Sequence, residues 1–104
     1  MRIIWMRSAR TDLENVYAFI KRKSEKAAIN IHDSILDEVE FLKSFPQMGP
    51  IEQAFTDLPK TYRSLVVKNT YKVVYYVENE IIYIIAIWDC RQNPSKLKSK
   101  IKKN

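Results

Sequence analysis

YRSLVVKNTYKVVYYVENEIIYIIAIW, from Tyr62 to Trp88, decides the fold. Val, Ile and Tyr crowd this stretch, and such residues suit a pleated, packed surface. Two polar interruptions divide it, Asn69-Thr70 and Asn79-Glu80. Each is short enough to be a two-residue hairpin loop. The reading is three strands, Tyr62–Lys68, Tyr71–Val77 and Ile81–Trp88, joined as an antiparallel meander.

Working back toward the N-terminus, Pro46 to Thr61 holds three of the four prolines and the single glycine, Gly49. This predicts a loop, with one helical turn at Glu52–Leu58. Loops of this length in small domains tend to carry function or move. Before it, Ala28, Ile31, Ile35, Val39 and Leu42 recur at helical steps after a capping Ser24. Earlier still, Ala9, Leu13, Val16, Tyr17 and Ile20 form a second such stripe, with Ser8 as the expected N-cap. The joint at Lys23–Glu25 is so short that the two helices should fold back as a hairpin. Arg2 to Met6 reads as a first strand. The fold class is therefore α+β: an N-terminal strand, an antiparallel helix hairpin and a three-stranded meander in one twisted sheet. Residues 1–104 form one domain. The predicted core contains Leu13, Val16, Ile20, Ile31, Ile35, Val39, Val73, Tyr75, Ile84 and Trp88.

Counting outward from two-residue turns assigns side chains to faces, because opposed residues share a face and neighbours alternate. One face then carries Arg63, Leu65, Val67, Lys72, Val74, Tyr76, Tyr83, Ile85, Ile87, Asp89 and Arg91. The opposite face is the more apolar and should meet the helix hairpin. Three cations on one mixed face suggest a groove that binds something, and its apolar members suggest an interface. Taken singly, Arg63 or Arg91 would serve equally well as an ion-pair partner of Asp89.

Charge is distributed unevenly. The chain has 18 basic and 12 acidic residues, a net charge of +6. From Arg91 onward there are six basic residues and no acid, so the first 90 residues are formally balanced. A basic end can hold a polyanion or an acidic protein segment, or can simply be a frayed, solvated tail. Lys96 to Lys103 is expected as a short basic helix or a loose segment, with Lys68, Lys96 and Lys98 as further target-binding candidates.

Several chemistries are excluded by composition. One histidine, His32, and one cysteine, Cys90, provide no metal-ligand spacing and no internal disulfide. One glycine cannot build a phosphate-cradling loop. No cofactor is expected. No apolar run approaches the roughly 18–20 residues of a membrane span, and a cytoplasmic protein without a membrane partner fits.

The chain resembles the RelE/ParE toxins of bacterial type II toxin–antitoxin systems. The resemblance rests on the opening strand ending in Trp5, the helix start Ser8-Ala9-Arg10-Thr11-Asp12-Leu13, and Phe45-Pro46-Gln47-Met48-Gly49. It continues through Tyr62-Arg63-Ser64-Leu65-Val66-Val67-Lys68-Asn69, Tyr71-Lys72-Val73-Val74-Tyr75-Tyr76 and Asp89-Cys90-Arg91-Gln92-Asn93-Pro94. It implies a helix hairpin on a twisted antiparallel sheet. It also implies a partner antitoxin that wraps the toxin, in a heterotetramer or larger assembly. Two targets are implied: ribosome-bound mRNA, cut without a metal by the RelE-like members, or DNA gyrase, inhibited by the ParE-like members. For mRNA cleavage, Arg63, Lys72 and Arg91 fall where such members place basic residues around the scissile phosphate. Leu65 and Leu97 replace a lysine and a tyrosine of RelE, and the Pro-x-x-Gly loop leans toward ParE. Gyrase inhibition is the favoured expectation, mRNA endonuclease activity the alternative, and a non-toxic nucleic-acid-binding module a further alternative from another class.

Overall fold

The computed structural model describes residues 1–103. The strands are β1 (Arg2–Trp5), β2 (Arg63–Val67), β3 (Tyr71–Glu78) and β4 (Ile81–Asp89). The helices are α1 (Arg7–Lys21), α2 (Glu25–Phe41) and α3 (Pro94–Lys102), with one 3-10 turn at Gln53–Phe55. The sheet order is β1-β4-β3-β2. β2, β3 and β4 form the antiparallel meander, while β1 runs parallel to β4, so the sheet is mixed rather than wholly antiparallel.

The helices begin for different reasons. Ser24 caps α2, its hydroxyl accepting the Ala27 N–H at 3.1 Å. α1 starts two residues earlier than a Ser8 cap would place it, at Arg7, and its N-cap Met6 supplies no side-chain bond. Ser8 instead donates its hydroxyl to the Ile85 carbonyl at 2.8 Å. One turn later, Asp12 accepts the Ile87 N–H at 3.0 Å. Residues four apart share a helix face, and here they meet the strand where its regular pairing shifts.

That shift is a β-bulge. Tyr75 is opposite Ile84 but Val74 is opposite Ala86, so Ile85 is the extra residue in β4. Bulges interrupt the ladder and leave backbone groups to be satisfied by other means. Ser8 and Asp12 serve the residues on and after the bulge. Past this point the side chains of β4 change face relative to simple alternation.

The other departure is the first hairpin. Val67 pairs with Tyr71, leaving a three-residue loop. Lys68 and Asn69 take the left-handed conformation, with φ of 54° and 56°. The Thr70 N–H closes the turn on the Val67 carbonyl at 3.1 Å. A turn on Asn69-Thr70 would have forced β-branched Thr70 into a left-handed conformation that it tolerates badly. The second turn, at Asn79-Glu80, has the expected two residues.

These two one-residue shifts correct the face assignment. Arg63 faces Tyr75, Leu65 faces Val73 and Val67 faces Tyr71, all on the helix-hairpin side. Ile87 also turns to that side, while Lys72, Val74, Tyr76 and Tyr83 remain on the other. The expected single face with three cations is not formed.

Both faces are covered. On one, Ala9, Ile35, Val39 and Leu42 pack against Val73, Tyr75, Ile82 and Ile84. Leu13, Val16, Ile20 and Ile31 complete that core while remaining only partly buried. On the other, Leu97 and Ile101 of α3, with Phe55 from the loop, cover Val74, Ile85 and Ala86. Trp88, expected in the hairpin core, packs against this second cluster. The lysine-rich end is thus a packed helix. Asn93 caps it, its side-chain carbonyl accepting the Ser95 N–H at 3.0 Å. No helix among the described residues is long and apolar enough to cross a membrane.

Candidate functional site

Arg63 sits at the start of β2, beneath the loop that follows α2. Its Nη1 donates to the Gly49 carbonyl at 2.9 Å and makes a longer contact of 3.5 Å with the Gln47 carbonyl. The buried Tyr75 hydroxyl braces the same loop, donating to the Pro46 carbonyl at 2.8 Å and accepting the Gly49 N–H at 2.9 Å. Burial pushes the Tyr75 phenol above its ordinary range, partly offset by the Gly49 bond and the Arg63 charge. The single glycine belongs here by close approach. A Cβ on Gly49 would lie 2.9 Å from both the Ser64 carbonyl oxygen and the Tyr75 hydroxyl.

Lys72 points to the opposite face and is held by Glu52, Nζ to Oε2 at 2.8 Å. The same carboxylate oxygen accepts the Ser64 hydroxyl at 2.6 Å. Burial pushes the Glu52 carboxyl up, but the hydrogen bonds from Lys72 and Ser64 and the Lys72 charge outweigh it, leaving it below its ordinary range. Glu52 thereby ties the long loop to the sheet.

Arg91 lies just past the end of β4, at the Tyr71 end of β3. It forms a two-pronged pair with Asp89, Nε to Oδ1 at 2.9 Å and Nη2 to Oδ2 at 2.7 Å. The Arg91 bond holds the Asp89 carboxyl below its ordinary range against the effect of burial. Lys68 is exposed in the first hairpin turn, and Lys96 is exposed on α3. Lys98 pairs with Asp57 at 2.9 Å, and Lys100 pairs with Asp12.

Arg63, Lys72 and Arg91 are therefore not brought together. Arg63 and Lys72 project from opposite faces. Arg91 stands at the Tyr71 end of β3, while Arg63 is opposite Tyr75, four residues further along the strand. Lys72 and Arg91 each face a carboxylate, and Arg63 faces carbonyls. Tyr76 and Tyr83, possible proton carriers by residue type, form a stacked cross-strand pair with centroids 5.0 Å apart. Tyr62 meets Tyr76 edge-on, and the Lys60 ammonium lies 5.3 Å from the Tyr76 centroid. His32 packs edge-on against Tyr17 and contacts Asp33 at 3.3 Å, on the helix hairpin.

Sequence reasoning missed Asp12 and Glu52, the two acids that organise this architecture. A signal existed for the first: Asp12 lies four residues after Ser8, so both reach the same neighbour. Glu52 has no local signal, because its partners are 12 and 20 residues away.

A family model described as the ParE toxin of the type II toxin–antitoxin system parDE matches residues 3–94. Among solved structures, the chain is similar to one described as the chromosomal ParDE toxin–antitoxin system from P. aeruginosa. That similarity has a TM-score of 0.69 at 21% identity, covering 86% of this chain and 95% of that one. No curated protein matches this chain.

Proposed function

The chain belongs to the ParE toxin family of type II toxin–antitoxin systems, and from that premise we propose that, when free of its antitoxin, it arrests growth by inhibiting DNA gyrase rather than by cutting mRNA. The observation that carries this reading is the dispersal of Arg63, Lys72 and Arg91. Cleavage through a 2′-hydroxyl needs cations gathered around one pentacoordinate phosphate, with a group placed to move the proton. Here two of the three point to opposite faces. Lys72 and Arg91 would each have to leave a carboxylate before meeting a phosphate.

The contact with gyrase is assigned to the exposed lysines of α3 and its C-cap, Lys103. Leu97 and Ile101 point inward, while Lys96, Lys102 and Lys103 stay exposed. Replacing these three lysines by Gln removes charge without uncovering the core, which truncation of α3 would do. The test compares gyrase supercoiling with mRNA cleavage on programmed ribosomes, using purified toxin. Gyrase inhibition is expected, weakened by the triple Gln variant and retained in folded Arg63→Ala, Lys72→Ala and Arg91→Ala. Ribosome-dependent mRNA cuts that vanish in Arg91→Ala would overturn this reading in favour of the endonuclease. A cognate antitoxin restrains the toxin, in an assembly proposed to be a heterotetramer or larger.

A further inference from the structure

We propose that the Arg63 pocket is an antitoxin-docking site that receives an acidic side chain, with Phe45 and Met48 taking the apolar residues beside it. This rests on the toxin–antitoxin reading, which provides the partner, and adds where and by what chemistry the partner is held.

A guanidinium has five N–H donors in a rigid fork. Both Arg63 bonds leave from Nη1 and end on carbonyls. Among the described residues, Nη2 and Nε have no protein acceptor, and no carboxylate lies within ion-pairing range. This separates Arg63 from Lys43, Lys60, Lys72, Arg91, Lys98 and Lys100, each paired with an acid. The carbonyls of Gln47 and Gly49 hold the fork in place without neutralising it.

Arg63 lines a pocket of about 240 Å³ with Met1, Pro46, Gln47, Thr61 and Val77. Pro46 and Gln47 also belong to the adjoining hollow formed by Ser44 to Met48. Around these two depressions apolar side chains are exposed: Phe45 is 61% exposed, Met1 48%, Met48 37% and Val77 36%. Exposed apolar surface around the unneutralised Arg63 guanidinium, with the Met1 ammonium on the same pocket likewise held only by a carbonyl, matches a peptide with an acid among apolar residues. A nucleic-acid strand repeats its charge and calls for several cations. Here the neighbouring Lys43 and Lys60 are already committed to Glu40 and Glu78.

The test uses the full-length cognate antitoxin, titrated onto the full-length toxin by calorimetry. Arg63→Gln should weaken binding at least tenfold. Val77→Glu should do likewise, because it places a carboxylate at the pocket rim and leaves both Arg63 bonds intact. Arg91→Gln, at the far end of β3, should bind within twofold of the unaltered chain. Thermal unfolding checks that each variant is folded. Arg63→Lys, treated in the complex with a carbodiimide, should join its new amine to an Asp or Glu of the antitoxin, mapped by mass spectrometry. Antitoxin binding unchanged in both Arg63→Gln and Val77→Glu, or no such cross-link in a saturated complex, overturns the docking site alone. An unaltered chain that does not bind the antitoxin overturns the toxin–antitoxin reading and this inference together. Loss in Arg63→Gln of binding to a labelled single-stranded RNA, with antitoxin binding kept, overturns it in favour of a nucleic-acid site.

Discussion

One face of the sheet is covered by α1 and α2, two helices of 15 and 17 residues carrying long apolar stripes. The other is covered by α3, nine residues with only Leu97 and Ile101 turned inward, and by Phe55 from a loop. The first layer is joined by extensive side-chain packing. The second is thin and is fastened by charges: Lys98 to Asp57, Lys100 to Asp12 and Lys72 to Glu52. A sheet buried on both sides needs two covers, but they need not be equally strong. Stability in such a molecule is uneven, and the thinner layer should open first.

The largest effect is expected from Ile84→Ala, which empties a fully buried position against the helix hairpin. It should lower the unfolding free energy by about 2–5 kcal/mol and act on the whole molecule. Denaturant unfolding followed by both tryptophan fluorescence and circular dichroism checks this. A loss well under about 1 kcal/mol would break the distinction between the two layers.

Leu97→Ala removes an equally buried side chain from the thin layer. Its cost should fall at the low end, about 2 kcal/mol, because a terminal helix can shift to close the gap. Hydrogen exchange should quicken in residues 94–102 while α2 stays protected. Equal loss of protection in α2 would mean the layers open as one.

Acid should also separate the layers. Glu52 and Asp57, which tie the thin layer, are both held below their ordinary range by basic partners. Folded pKa values below the unfolded ones mean that stability is fully present above about pH 4.5 and is lost as pH falls through the folded values. Exchange at falling pH should expose α3 and the 52–58 segment before α1 and α2. Glu52→Gln, already without its charge, should show a shallower acid decline than the unaltered chain.

The smallest effect is expected from Arg91→Ala. Its pair with Asp89 is short, but the arginine side chain is 67% exposed, and solvent screens such pairs. The thermal midpoint should stay within experimental error. A clear drop would show that this end of β4 belongs to the cooperative core.

The thick layer was legible in the amino-acid order, and the thin one was not. Ile35 and Val39, read as core from helical spacing, are buried, as are Val73, Tyr75 and Ile84. Leu97 and Ile101 lie among six cations from Arg91 onward, so the tail reads as either a short basic helix or a loose, solvated segment, with no packing partner in view. Two apolar residues four apart make a weak pattern, and only a sheet with an uncovered face gives them something to bury. The candidate site suffered more. Arg63 stood out as a cation, but its face depended on the length of one turn, and one residue inverts a strand. The evidence against a two-residue turn was present in Thr70, whose branched side chain resists the left-handed conformation.

By itself the sequence determined the elements, their order, the helix hairpin and the meander, because periodicity and turn chemistry act between near neighbours. Only the tertiary structure decided the β4 bulge, the face on which Arg63 lies and the separation of Lys72 and Arg91 from it. It also decided the packing of the basic end as α3. Those features depend on partners distant in the chain, as when Asp12 meets both Ile87 and Lys100. A contact across 75 residues leaves no local pattern: its energy comes from satisfying a strand's backbone and a lysine's charge at once, and those groups meet only when the chain has folded.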